Sequence, residues 1–422
     1  MKKKTNFRWV ILSLLFFATT INYIDRQVIG LLKPYIEKDL QWTEVDYGYI
    51  VTAFQLAYAI GLLLSGRLVD KFGTRWGYTI AISIWSIGAM MHAAVRSLFG
   101  FASARAILGL GEAANFPASI KTVAEWFPVK DRALVTGIFN SGSSIGAITA
   151  PIIVTAITLS MGWKWAFIIT GALGFVWIVF WLIFYDIPKN HKKINQEELT
   201  YILQDGQKVY DDKISWRILL RYKQTYGVCL TRLVTDWVWW FFLYWAPDFL
   251  KKTQGMDLKE SVLPLVLIYT MAGLGGISGG AISSAFIRSN KSVDYSRKTA
   301  ILICGILALP LVIAAETQNL WLAIALIGLA GAAHSGFASN IFTVISDIYP
   351  KNAIATMVGM SGFIGAIGGA LSATLVGLIL EITHNYFIVF ACASTMYLLA
   401  WAILKIFIPK IEPILLNDQN NR

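Results

Sequence analysis

The chain has 422 residues, 56% of them hydrophobic and only 14% charged, with a formal net charge of +11. Soluble domains carry roughly 25% charge, so this composition excludes a soluble globular protein and describes one embedded in a bilayer. The basic balance does not indicate nucleic acid: with both termini placed in the cytoplasm, 26 of the 36 Lys and Arg lie on that side, seven lie outside and three lie within the membrane. That is the positive-inside bias of membrane topology.

Crossing about 30 Å of hydrocarbon takes about 20 helical residues. The first apolar run, about 8–33, has a basic start but no small-residue cleavage site after it, so it reads as a retained helix and not a removed signal. Inside it Asp25 and Arg26 lie side by side. An ionised side chain near the bilayer centre costs at least ~2.5 kcal/mol and normally faces a polar cavity or a partner. Adjacent helix positions point about 100° apart, so these two charges need different partners. That reads as a solute pathway. Charge-free runs follow at 47–66 and 77–95, then a run at about 99–121 interrupted by Arg105 and Glu112, then charge-free runs at 133–163 and 165–185. The polar stretch 186–223, with at most a short surface helix, is a linker. A further run at about 226–250 holds Arg232 and Asp236; five charge-free runs, at 261–287, 299–315, 317–346, 352–380 and 382–404, complete twelve spans. The expected organisation is an N-terminal six-helix bundle (1–185), a cytoplasmic linker (186–223), a C-terminal six-helix bundle (224–410) and a cytoplasmic tail (411–422).

Shifting the chain by 222 residues lays its second half over its first. Glu125 falls on Asp347, Phe127 on Tyr349, Pro128 on Pro350, Ala133 on Ala355, Gly137 on Gly359, Ile145 on Ile367 and Gly146 on Gly368. Seven matches at one offset indicate duplication. Six spans per half keep both copies the same way up, as in transporters built from parallel repeats. The same shift places His334 on Glu112, so each half holds an ionisable group at equivalent depth of its fourth span.

Between spans two and three stands Gly66-Arg67-Leu68-Val69-Asp70-Lys71-Phe72-Gly73-Thr74-Arg75. Here the chain resembles the major facilitator superfamily, whose signature in this loop is Gly-x-x-x-Asp-[basic]-x-Gly-[x]-Arg. The resemblance implies an all-α fold of twelve transmembrane helices in two parallel six-helix repeats, with Gly66, Asp70, Gly73 and Arg75 forming a gate latch and not a solute contact. Asp70 can cap a neighbouring helix and pair with Arg75 or another base. The second-half copy, 280–298, is degenerate, with Ser284 where the acid would stand. A closer resemblance spans nearly the whole chain: the anion:cation symporter group, particularly bacterial hexuronate and galactonate carriers. It rests on Tyr23-Ile24-Asp25-Arg26, on Arg105-x-x-x-Gly109-x-Gly111-Glu112-Ala113-Ala114-x-Phe116-Pro117, on Glu125-Trp126-Phe127-Pro128 and on Phe139-Asn140-Ser141-Gly142-Ser143-Ser144-Ile145-Gly146-Ala147. In galactonate-type relatives the Arg matching Arg26 binds substrate carboxylate, while the acids matching Asp25 and Glu112 carry protons. Arg232, Asp236 and His334 look more like the hexuronate branch.

Taken residue by residue, Arg26 offers a guanidinium fork that matches a carboxylate and stays charged at every working pH. Glu112 lies two turns beyond Arg105 on one helix face, which fits a proton carrier tuned by Arg105 and also fits an internal ion-pair ladder. Arg232 and Asp236, spaced i,i+4, either neutralise each other or read a substrate. Tyr23, Tyr58, Asn140, Ser143, Ser144, His334 and Asn340 supply the hydroxyl, amide, imidazole and aromatic groups that a sugar needs. One or two rings of the aromatic run 237–245 could stack on a sugar's C–H face. Cys229, Cys304 and Cys392 stand singly in apolar spans and form neither a disulfide set nor a metal set. There is no P-loop, no Gly-x-Ser-x-Gly and no metal spacing, so no enzyme, cofactor, metal, nucleotide or nucleic-acid partner is expected. The expected partners are a sugar-acid anion, protons and the lipid bilayer. The reading is a proton-coupled symporter of the bacterial inner membrane importing a sugar acid, a hexuronate first, with both termini cytoplasmic. The alternatives are an aldonate or other organic-anion carrier of the same fold, a phosphate-type carrier, and a transport-derived membrane sensor.

Overall fold

In the computed structural model residues 5–42, 44–205, 216–254, 262–383 and 385–414 are described. The first half runs α1 (Arg8–Leu40), α2 (44–72), α3 (74–91), α4 (Leu98–Glu112 continued by Asn115–Trp126), α5 (Val129–Met161) and α6 (Trp163–Phe184). The second runs α7 (Lys223–Gln254), α8 (Val262–Arg288), α9 (Val293–Ala308, then Leu311–Ala314), α10 (Leu320–Ile348), α11 (Ile354–Thr383) and α12 (Phe387–Phe407). Among the described residues eight helical stretches are long and apolar enough to cross a bilayer, the stretch 49–91 holding both α2 and α3. The three spans outside that set, α1, α4 and α7, are the ones the sequence shows interrupted by charge. Their charged groups are sheltered inside the bundle, by a neighbouring helix for Arg26 and Glu112 and by each other for Arg232 and Asp236.

Two backbone features hold the α2–α3 corner. Gly73 has φ 77° and ψ 159°, a conformation that a side chain would strain. Gly66 lets α2 meet α11 so closely that a Cβ there would collide with the Ala355 carbonyl. The two halves join through paired seams, α2 against α11 and α5 against α8. These seams are duplicates: Ala133, the counterpart of Ala355, takes the equivalent close approach from Gly280.

Both ends of the described chain and the linker lie at one end of the molecule. Thr5 hydroxyl donates to Glu198 Oε2 at 2.6 Å in the linker, and Ile414 N donates to Ile348 O at 2.9 Å. The linker's helix Gln196–Leu203 is not a loose surface element. Glu198 is fully buried and accepts from the Phe7 and Arg8 amides at 3.1 Å, so it caps the start of α1 while pairing with the Arg8 guanidinium at 3.0 Å.

Candidate functional site

A cavity of about 350 Å³ opens between the halves near mid-span. From the first half it is lined by Tyr23, Arg26, Phe54, Tyr58, Arg105, Asn140, Ser143 and Ser144, and from the second by Arg232, Asp236, Trp239, Trp240 and His334. Nine of the ten expected substrate-reading residues therefore share one wall-lined space. Asn340 is the exception and corrects that expectation. It is fully buried, and its amide donates to Gly279 O at 3.0 Å and Gly336 O at 2.9 Å, so it ties α10 to α8 behind the cavity.

Arg26 sits where three rings meet, 4.9 Å from Tyr23, 5.4 Å from Phe54 and 4.8 Å from Tyr58, and their faces attract its charge. Its Nε and Nη2 reach one oxygen of Glu112, at 3.0 and 2.9 Å. Glu112 is fully buried and its other carboxylate oxygen has no partner among the described residues. The side chain of Arg26 keeps 18% exposure, so this ion pair presents its cation to the cavity and its anion to the protein.

Arg105 does not form the ladder with Glu112 that their two-turn spacing permits. It lies 4.7 Å over the Phe54 ring, donates from Nη2 to the Arg26 backbone carbonyl at 3.1 Å, and leaves Nε and Nη1 without partners among the described residues. Asp25 is buried beside Thr170, with neither carboxylate oxygen in hydrogen-bond geometry. The adjacent charges of α1 thus part company as helix geometry requires, Arg26 into the cavity and Asp25 away from it.

In the second half Arg232 and Asp236 both line the cavity and also neutralise each other, with N–O distances of 2.6–2.9 Å involving both carboxylate oxygens. His334 lies flat on Trp239, ring centres 5.1 Å apart and planes 13° apart, and its Nδ1 is 2.9 Å from the Tyr397 hydroxyl. Trp239 and Trp240 come from the aromatic run. Trp239 was legible, since 232, 236 and 239 share a helix face. Phe54 and Tyr397 carried no sequence signal, because each is one aromatic among many in an apolar span.

The end that carries the linker is closed. Asp70 Oδ2 accepts from the Thr356 amide and hydroxyl, both at 2.7 Å, and its Oδ1 pairs with Lys121 at 2.9 Å. The acid of the loop motif therefore caps α11 of the opposite half and takes Lys121, not Arg75, as its base. Arg75 turns to Leu182 O at 2.8 Å and to Asp186 at 3.8 Å. The mirrored position is filled by Ser284, which accepts from the amide of Leu134, the counterpart of Thr356, at 3.3 Å. Asp347 takes Arg297 at 2.9 Å from its own half and Arg132 at 3.3 Å from the other. In the α10–α11 loop, burial and the nearby Arg132 bring the Lys351 ammonium down to about 8. Bonds across both seams are thus concentrated at this end, and the cavity lies beyond them.

The Major Facilitator Superfamily pattern matches residues 15–293. The chain is 32% identical over 415 residues to the hexuronate transporter of Escherichia coli K12, covering 96% of each protein. It is 35% identical over 314 residues to the galacturonate transporter of Dickeya chrysanthemi, covering 73% of this chain and 90% of that one. Among solved structures, the proton:xylose symporter bound to 6-bromo-6-deoxy-D-glucose superposes with a TM-score of 0.75 at 15% identity, covering 96% and 97% of the two chains. Two six-helix halves around a cavity lined by rings and by paired charges, with the loop acid of the first half bonded to a helix of the second, are thus found in a chain that belongs to the major facilitator superfamily.

Proposed function

We propose that the protein imports a sugar-acid anion, a hexuronate such as glucuronate or galacturonate first, together with protons across a bacterial inner membrane by alternating access. The observation that carries the reading is Arg26, a cavity-facing cation whose present partner is a buried carboxylate. A substrate carboxylate that takes the Nε–Nη2 edge of Arg26 displaces Glu112. The displaced acid then has two ways to avoid an unpaired buried charge, whose cost is severe: it accepts a proton, or it turns to Arg105 on its own helix. Asp25, buried with no hydrogen-bond partner among the described residues, is accommodated most cheaply in its neutral form and serves as the second proton site. Relatives named for hexuronate and galacturonate transport support the substrate class.

The basic residues of the linker and loops put the closed end in the cytoplasm, so the conformation described is open to the outside. In this reading residues 1–185 and 224–410 rock about the cavity, and the 186–223 linker joins them. Bringing a monoanion into a negative interior costs ~2.3 kcal/mol per 100 mV; one proton cancels this and a second drives uptake. An aldonate substrate is the second reading, favoured by the acid placed directly before Arg26. Uptake of labelled glucuronate, galacturonate, galactonate and phosphate into proteoliposomes, with and without an imposed proton gradient, tests the proposal. Gradient-dependent hexuronate accumulation supports it. Equilibration without proton flux reduces the protein to a uniporter, and phosphate uptake alone removes the sugar acid.

A further inference from the structure

We propose that Tyr397 locks His334 into one tautomer, Nε2–H, and so makes the second-half wall of the cavity a hydrogen-bond donor selective for an acceptor-only oxygen of the substrate. The inference begins with a proton count. Tyr397 is fully buried, and among the described residues its hydroxyl has one polar partner, His334 Nδ1 at 2.9 Å. Were Nδ1 to carry the proton and donate to the tyrosine oxygen, the tyrosine's own O–H would be left buried without a hydrogen-bond acceptor among the described residues. Leaving a buried donor unmet costs its full desolvation, whereas the reverse arrangement, Tyr397 O–H donating to a bare Nδ1, satisfies both groups. A neutral imidazole with a bare Nδ1 has its hydrogen on Nε2. Among the described residues no carboxylate bonds the ring, which lies flat on Trp239; a half-turn of the ring would keep that stack but carry Nδ1 away from Tyr397 and break their hydrogen bond.

Nε2 has no protein partner among the described residues, yet it is not one of the polar atoms shut off from solvent-sized space, and His334 lines the cavity. The donor therefore opens on the substrate's space. Its surroundings reinforce the polarity, because Asp236 already accepts from Arg232 with both oxygens.

This rests on the sugar-acid reading and refines it. A hydroxyl rotates to donate or accept and is indifferent to the tautomer. A pyranose ring oxygen and a second carboxylate can only accept, and both suit a fixed N–H. Uronates carry the first and aldarates the second, whereas the far end of an aldonate carries hydroxyls alone. Tyr397 thus acts as a positioning residue through His334.

The test uses the full-length protein in lipid nanodiscs with 15N-labelled histidine. The chain has four histidines, and the His334 signals are those lost in His334→Gln. Without substrate, the wild type is expected to show a single Nε2–H tautomer, and Tyr397→Phe a mixture. A wild-type ring protonated on Nδ1, or a tautomer unchanged in Tyr397→Phe, overturns the proposal. In competition binding, Tyr397→Phe is expected to weaken galacturonate or galactarate about fivefold, the worth of a neutral hydrogen bond, while galactonate stays within about twofold. A loss confined to galacturonate assigns the ring oxygen, and one confined to galactarate assigns the carboxylate. Equal weakening of all three gives Tyr397 a packing role and overturns the selectivity. If no sugar acid binds even the wild type, the functional reading fails while the nitrogen spectrum still decides the tautomer.

Discussion

Replacing Glu112 by Gln separates binding from driving force, and the structure sets the size and sign of each effect. In the wild type Arg26 spends two N–H groups on one oxygen of a fully buried Glu112, at 3.0 and 2.9 Å. A hydrogen bond to a charged group contributes about 1.5–3 kcal/mol. A substrate carboxylate recovers that interaction only after Glu112 has been displaced or protonated. The glutamine amide is isosteric with the carboxylate and uncharged, so it competes weakly for the guanidinium, and the substrate meets a cation already free. Apparent affinity for a hexuronate should therefore rise by about 10- to 100-fold at neutral pH, each ~1.4 kcal/mol being tenfold. Wild-type affinity should weaken as pH rises and Glu112 is harder to protonate; the variant's should be nearly flat. Accumulation against a gradient should be lost, because an amide cannot carry a proton across, while exchange of internal for external substrate persists. Scintillation-proximity binding and counterflow in the same proteoliposomes measure both. Weaker binding in Glu112→Gln with intact proton-driven accumulation would refute the competition for Arg26.

Arg26→Lys keeps the charge but loses the planar fork and much of the stacking on Tyr23, Phe54 and Tyr58; affinity should fall by about 2–5 kcal/mol with normal membrane insertion, and near-native binding would dismiss Arg26 as anchor. Asp70→Asn removes the charge that holds Lys121 and caps α11. Breaking such a buried pair costs about 3–5 kcal/mol, so spin-label distances across the α2–α11 seam at the linker end should lengthen, and an unchanged distribution would deny the latch. Lys351, brought down to about 8 from 10.5, binds fewer protons folded than unfolded between those values, so its contribution to stability rises from pH 8 to 10.5 and is flat below. Lys351→Gln should abolish that rise in Tm; an identical pH profile in both proteins counts against burial of the ammonium. Asp236→Asn leaves Arg232 without its anion, and should reorder glucuronate, galacturonate and galactonate in competition, where a uniform loss would make the pair structural.

Much of this protein is readable along one dimension. Spans of about 20 apolar residues report the thickness of the bilayer whatever they pack against, so the count of twelve and the three charge-bearing exceptions follow from composition. The 222-residue shift that lays Ala133 on Ala355 indicates duplication, and in the structure Gly280 meets Ala133 as Gly66 meets Ala355. Helix periodicity also separates Asp25 from Arg26 and puts Arg232, Asp236 and Trp239 on one face. Pairing across helices is another matter, because it depends on distances between segments that periodicity along one helix does not contain. Arg105 and Glu112 share a helix face, yet the buried acid belongs to Arg26 of α1. Asp70 had a base five residues away in Arg75 and instead reaches Lys121 and Thr356. Asn340 has the chemistry of a sugar-binding amide but is committed to the Gly279 and Gly336 carbonyls, since a buried amide must donate to whatever acceptors packing brings within reach. Composition and periodicity determined that charges must be sheltered inside the bundle; only the packing of twelve helices decided which charge shelters which, and therefore which end is shut.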